Sequence, residues 1–174
     1  MNEWCSQLEK IHLPRWSELP QLDLYMDQVV TLIERYLSLF FIDKQEKMLT
    51  KSMVNNYVKL QLIPAPVKKQ YSKRHVAFLI AITVLKQVVT IREVKDGINN
   101  LARVLGEKRA YNFFCEEMEA ALQRACRYAK GEALVEQMEA VRKEELALKM
   151  AARAVASKIV VEKTIQLQSK ETLK

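Results

Sequence analysis

The side chains best suited to recognition chemistry in this sequence are Ser52, Asn55, Asn56 and Lys59. A helix would gather them within an arc of roughly 100°. Amide side chains can bond an adenine edge through two hydrogen bonds, while Lys and Ser suit guanine edges or phosphate oxygens. Met53, Val54, Tyr57, Val58 and Leu60 fall on the other side and form a face for burial. Thr50 is placed to cap the helix, because its hydroxyl can accept from a first-turn amide. Pro64 and Pro66 are expected to stop it. An ordinary surface helix with a solvated polar face has the same pattern, so the surroundings must decide.

Those surroundings are basic. The formal charge is +7, and the segment from Asp43 to Asp96 alone carries eleven basic against four acidic side chains. Among them is Lys51, in the first turn of the polar-faced helix. A basic module on otherwise neutral chain is the footprint of a phosphate-bearing partner. A membrane surface would ask instead for a basic amphipathic helix with aromatic anchors, which is absent here. Pro64-Ala65-Pro66-Val67-Lys68-Lys69-Gln70-Tyr71 suits a small wing or tight hairpin beside a nucleic-acid backbone, or simply a stiff connector. Lys73 and Arg74 open the next helix, where the dipole opposes them unless an anion is near.

The elements that position these groups are expected to be helices. All four prolines lie in the first half of the chain, and Gly97, Gly106 and Gly131 are the sole glycines. Good helix formers dominate. Residues 1–21, with Trp4 and Trp16, read as a short helix or irregular segment laid on the body. Asp23 is expected to cap a helix running to about Phe41, and Asp43 to Lys47 to form a polar connector. Ser72 caps a helix to about Val88 whose centre, Val76 to Ile82, is apolar all round and marks a hub. Thr90-Ile91-Arg92-Glu93 is a capping box opening a short helix through Val94 and Ile98. One or two helices follow to about Ala129, with Gly106 as a break. Glu132 to about Gln168 reads as one long helix that either folds back or pairs with a second copy.

The order of these elements resembles the MerR-type winged helix-turn-helix. In that family the recognition helix runs into a Tyr-x-x-x-Gly-Leu-Ile/Leu-Pro pattern, matched here by Tyr57, Gln61, Leu62, Ile63 and Pro64. Tyr71-Ser72 matches the close of its wing, and Thr90-Ile91-Arg92-Glu93 the opening of its next helix. A longer stretch, including Leu22 to Val29 and Leu49-Thr50-Lys51, is similar to a bacterial family known as domain of unknown function 1836. The resemblance implies a MerR-like DNA-binding fold, with Tyr57, Lys68, Lys69 and Tyr71 clamping phosphate. It supplies no target and no ligand. The sequence departs from the MerR pattern in having Asn55 and Asn56 before a single Tyr57, a short wing without arginine, and a much longer first helix.

Little else points to chemistry. His12 and His75 are far apart, and there is no Gly-rich phosphate loop or nucleophile motif. His75 reads as a surface or DNA-facing residue, and the carboxylates of Glu116, Glu117 and Glu119 as a solvated face. Cys5, Cys115 and Cys126 form an odd set without CxxC, which implies buried, reduced thiols and a cytoplasmic home. No secretory leader is legible, and the longest apolar run is too short to span a bilayer. No cofactor, metal or catalytic residue is expected, and an effector is unknown.

The expectation is therefore an all-α protein with a MerR-like winged helix-turn-helix core, a short wing and additional N- and C-terminal helices. Residues 1–42 form an N-terminal segment and long helix, 43–98 the DNA-binding module, and 99–174 a helical region for dimerisation or regulation. Ser52, Asn55, Asn56 and Lys59 face bases, while Lys51, Tyr57, Lys68, Lys69, Tyr71, Lys73 and Arg74 face phosphates. The function expected is sequence-specific binding of double-stranded DNA by a bacterial transcriptional regulator, a homodimer through its C-terminal helices. The alternative is a helical adaptor whose basic module binds an acidic protein, with RNA a third option.

Overall fold

In the computed structural model, which describes residues 1–42, 47–132 and 141–172, most of the chain is helical. Among the described residues the α-helices are α1 (Asn2–Leu8), α2 (Met26–Leu37), α3 (Lys51–Lys59), α4 (Lys73–Leu85), α5 (Ile91–Leu105), α6 (Glu107–Ala129) and α7 (Lys143–Thr172). Two short strands, β1 (Leu24–Tyr25) and β2 (Gln70–Tyr71), pair antiparallel with Leu24 opposite Tyr71 and Tyr25 opposite Gln70. The mainly helical class is thus as expected from composition. No helix among the described residues is long and apolar enough to cross a membrane.

The apolar stretch in α4 is the hub. Residues from His75 to Leu85, Phe78 excepted, are buried, and α2, α5, α6 and α7 all pack against this helix. A helix apolar on every side has to be enclosed on every side. α2 supplies Val29, Ile33 and Leu37 at four-residue spacing. It begins later than expected, because Leu24 and Tyr25 are extended in the pairing with β2. Asp23 is therefore not its cap. Tyr25 holds that position, and its amide donates to the Gln28 side chain at 2.8 Å. α2 ends at Leu37 and continues as one 3₁₀ turn, Ser38–Phe40, before reaching Phe41.

α5 also differs from the short helix expected. Its Thr90 capping box forms, with the Thr90 amide donating to Glu93 Oε2 at 2.7 Å and the Glu93 amide to Thr90 Oγ1 at 3.3 Å. The helix then runs unbroken to Leu105, across the boundary drawn at residue 98. Gly106, with φ of 77°, makes the break before α6.

α7 folds back on the chain's own helices, burying Ala152, Val155, Ala156 and Ile159 chiefly against α6. Its described start is Lys143, and it runs past Gln168 to Thr172. Leu134 and Met138, assigned to the same helix from the sequence, lie outside the described residues, as does most of the connector at 43–46.

The N-terminal segment is a strap. Its α1 buries Cys5 and Leu8, and α1 packs on α6. Arg15 grips Glu119 of α6 with both guanidinium nitrogens, at 2.7 and 2.6 Å. The Leu13 amide donates to the same carboxylate at 2.7 Å. Burial alone would raise the Glu119 pKa, but these bonds outweigh it and hold the carboxyl below the usual range. Glu117 pairs with Lys149 of α7 at 2.9 Å. Neither Glu117 nor Glu119 is a solvated carboxylate, because partners distant in sequence cover both.

Candidate nucleic-acid interface

α3 presents the polar face read from its spacing. The Thr50 hydroxyl accepts from the Met53 amide at 3.1 Å and caps the helix. Val54 and Tyr57 anchor it in the core, while Ser52, Asn55, Asn56 and Lys59 are exposed. The helix ends before the prolines are reached. Gln61 adopts φ of 54°, and the Leu62 amide turns back to the Tyr57 carbonyl at 2.9 Å. Glycine adopts this left-handed conformation at no steric cost, and here Gln61 takes it instead. Leu60, assigned to the apolar side from periodicity, is half exposed for the same reason, since the chain leaves the helix there.

The basic turn after α3 is a tight hairpin. The Val67 amide donates to the Gln70 carbonyl at 3.2 Å, and the Gln70 amide to the Val67 carbonyl at 2.8 Å. Between them Lys68 and Lys69 both have positive φ, 49° and 63°. Left-handed backbone at both central residues is the signature of a type I′ turn, which favours Asn and Gly over Lys. Both lysines are exposed, and neither makes an ion pair among the described residues. Two side chains unsuited to the backbone are held at an exposed tip by the strand pairing beneath them.

One end of α2 brings these parts together. β1, which leads into α2, pairs with β2 of the hairpin, and Asp27 in the first turn of α2 forms an ion pair with Lys51 at the start of α3. The polar helix and the lysine turn are therefore fixed to a common support.

The remaining phosphate-facing assignments divide. Tyr57 and Tyr71 are 4% and 3% exposed, and burial raises both phenol pKa values. Their rings serve the core, where Tyr71 meets His75 edge to face at 5.4 Å. This corrects the phosphate-facing reading of both tyrosines, because the face of α3 that carries Tyr57 and the strand that carries Tyr71 turn inward. Lys51, Lys73 and Arg74 already have partners. Lys73 donates to Gln21 at 2.8 Å, and Arg74 pairs with Glu107 and lies over the Phe78 ring. The unfavourable charge of Arg74 at the start of α4 is thus offset within the chain.

His75 is buried, contrary to a surface reading. Its Nδ1 accepts from the Ser72 amide at 3.0 Å, so imidazole replaces the usual Glu in a capping box. Burial lowers its pKa, against the opposing pull of the Pro64 and Ala65 carbonyls. The three cysteines are buried, as expected, and burial pushes the Cys115 thiol up to about 12.

Tyr25 is a residue the sequence reading missed. It is 58% exposed and stands opposite Gln70 in the hairpin strand. No local periodicity marks it, since its position depends on pairing with a strand far along the chain.

A family model described as a domain of unknown function (DUF1836) matches residues 14–117. The chain belongs to that family. The DUF1836 match takes in the strap from Pro14, the polar helix α3, the lysine hairpin, the α4 hub and α5, and ends within α6. No curated protein and no solved structure matches the chain.

Proposed function

We propose that this DUF1836 protein is a sequence-specific double-stranded DNA-binding regulator of transcription, acting in the bacterial cytoplasm through a MerR-like winged helix-turn-helix. The observation that carries the reading is the pairing of an exposed amide-and-lysine helix face with a strained, exposed lysine turn on one support. Ser52, Asn55, Asn56 and Lys59 enter the major groove, which is wide enough for a helix. Lys68 and Lys69 reach the flanking phosphate backbone, and Tyr25 is added to the contact surface. Lys51 and Arg74 join them by exchanging an intramolecular carboxylate for phosphate.

The inner seam of α7 is already used within the chain, so dimerisation falls to its outer side. Leu146, Met150, Val161 and Ile165 are each about half exposed. They share an arc of roughly 100°. Paired copies would read half-sites about 34 Å apart.

A second reading is an adaptor for an acidic protein, favoured by exposed Leu22, Leu60 and Val67 at 80%, 50% and 69%. The experiment that separates the two is selection of bound duplexes from a random library at about 150 mM salt, with Asn55→Ala alongside. An enriched motif that the variant loses supports DNA reading. Retention only at low salt, with no motif, would move the adaptor first.

A further inference from the structure

A cleft of about 330 Å³ opens between α4, α5, α6 and α7, away from α3 and the lysine hairpin. That is within the size range of small-molecule sites, roughly 300–1,000 Å³. Its floor is buried and apolar, from Ala77 and Ala81 of α4 to Leu101 of α5 and Phe114 of α6. Trp16 of the N-terminal strap and Phe78 add half-buried rings.

The charged side chains that line this cleft are of one sign, although two cations lie over its rings, Lys73 over Trp16 and Arg74 over Phe78. Glu93, Glu107 and Glu144 line it, and no Lys, Arg or His does so among the described residues, in a chain of net charge +7. Glu107 is paired with Arg74. Glu93 is held by the amide and hydroxyl of Thr90, both neutral donors, so its charge is not cancelled. Glu144 is exposed and makes no ion pair among the described residues. Carboxylates at the mouth of an aromatic-lined apolar cleft favour a cation and oppose an anion.

Gly97 lines the cleft at an exposed edge of α5. It sits inside α5, where glycine is unfavourable, and a Cβ there would meet nothing within 4 Å. Packing does not require the glycine, and a larger side chain would project into free space at the cleft wall.

We infer that this cleft binds a small amphipathic cation, its apolar body on the floor between α4 and α6 and its positive group at the Glu93 and Glu144 rim. The inference rests on the cleft alone and not on the DNA reading, so the two fail separately.

4-Phenylbutylammonium and 4-phenylbutyrate, one apolar body with a terminal charge of either sign, provide the test. In the full-length Trp4→Phe protein Trp16 is the remaining tryptophan, and its fluorescence reports on the cleft. The ammonium should give a saturable change, with the carboxylate at least about tenfold weaker despite the positive net charge. Glu144→Gln should weaken the cation by about two- to fivefold, as expected for one partly screened charge. Gly97→Leu should weaken it by about tenfold or more while leaving the helical circular dichroism unchanged. Should Gly97→Leu fail to fold, the charge pair and Glu144→Gln still decide. Equal or tighter carboxylate binding, no saturation, or indifference to Glu144→Gln would overturn the inference. A signal that follows protein concentration rather than the cation would also overturn it, by giving the cleft to a second copy of the chain.

Discussion

Replacing Lys68-Lys69 with Asn-Gly should make the protein more stable and a worse DNA binder. Both lysines are left-handed, at φ of 49° and 63°. A residue with a Cβ is disfavoured there by about 1–2 kcal/mol. Asn and Gly relieve most of this, while the freer unfolded chain of glycine returns about 0.4–1 kcal/mol. The net gain is about 1 kcal/mol, which in a chain of this length raises the Tm by about 2–4 °C. Two lost phosphate contacts lower the salt slope by about 1.8 and, at about 150 mM salt, the affinity by about 30-fold. Thermal melts and duplex titrations across a salt series read both quantities from one preparation. Lys68→Gln with Lys69→Gln separates the effects, since it removes the charges and keeps the strain. That variant should bind as weakly as Asn-Gly but melt like the parent. If Asn-Gly stabilises the protein and binds with an unchanged salt slope, the hairpin is not a phosphate contact and the reasoning fails.

Two further outcomes test the packing around the module. His75 has a depressed pKa, so the folded chain keeps it neutral while the unfolded chain takes the proton first. Stability relative to His75→Gln should therefore fall as pH drops below about 6.5. Urea midpoints that differ by a constant amount at pH values about one unit either side of the unfolded-state value of about 6.5 would refute this. Glu119→Gln leaves Arg15 without its partner and should cost about 2–3 kcal/mol, with side chains this well covered. Because the Glu119 carboxyl titrates low in the folded state, its contribution is complete above its ordinary value of about 4.3 and lost in acid. The gap in Tm between parent and Glu119→Gln should close there, and calorimetry at neutral and acidic pH would show whether it does.

Caps and apolar periodicity were legible because they act within a few residues. Thr50 and Thr90 start their helices where a hydroxyl accepts from a first-turn amide, Ser72 starts another where its hydroxyl meets the His75 ring, and the apolar run in α4 could only be a buried hub. The polar face of α3 followed from spacing in the same way. The misplaced residues share a different cause. Tyr57 and Tyr71 carry polar tips on apolar rings, so type alone did not say which end the fold would favour. His75 read as a surface or DNA-facing residue beside Lys73 and Arg74, yet its partner was the Ser72 amide three residues back. Glu119 read as one of several acids on a helix, and the Leu13 amide and Arg15 side chain, 106 and 104 residues away, remove it from solvent.

The sequence by itself determined the helical class, the starts of α3, α4 and α5, the buried middle and the basic character of residues 43–96. Each is a property of short windows, set by propensity, capping and side-chain period. Tertiary structure decided which cations remain unpaired and where α7 folds. It also delayed the start of α2 to Met26 by pairing β1 with β2, and it left an acid-rimmed cleft between α4, α5, α6 and α7. Those outcomes depend on contacts between residues tens of positions apart, where local rules carry no information about what meets what.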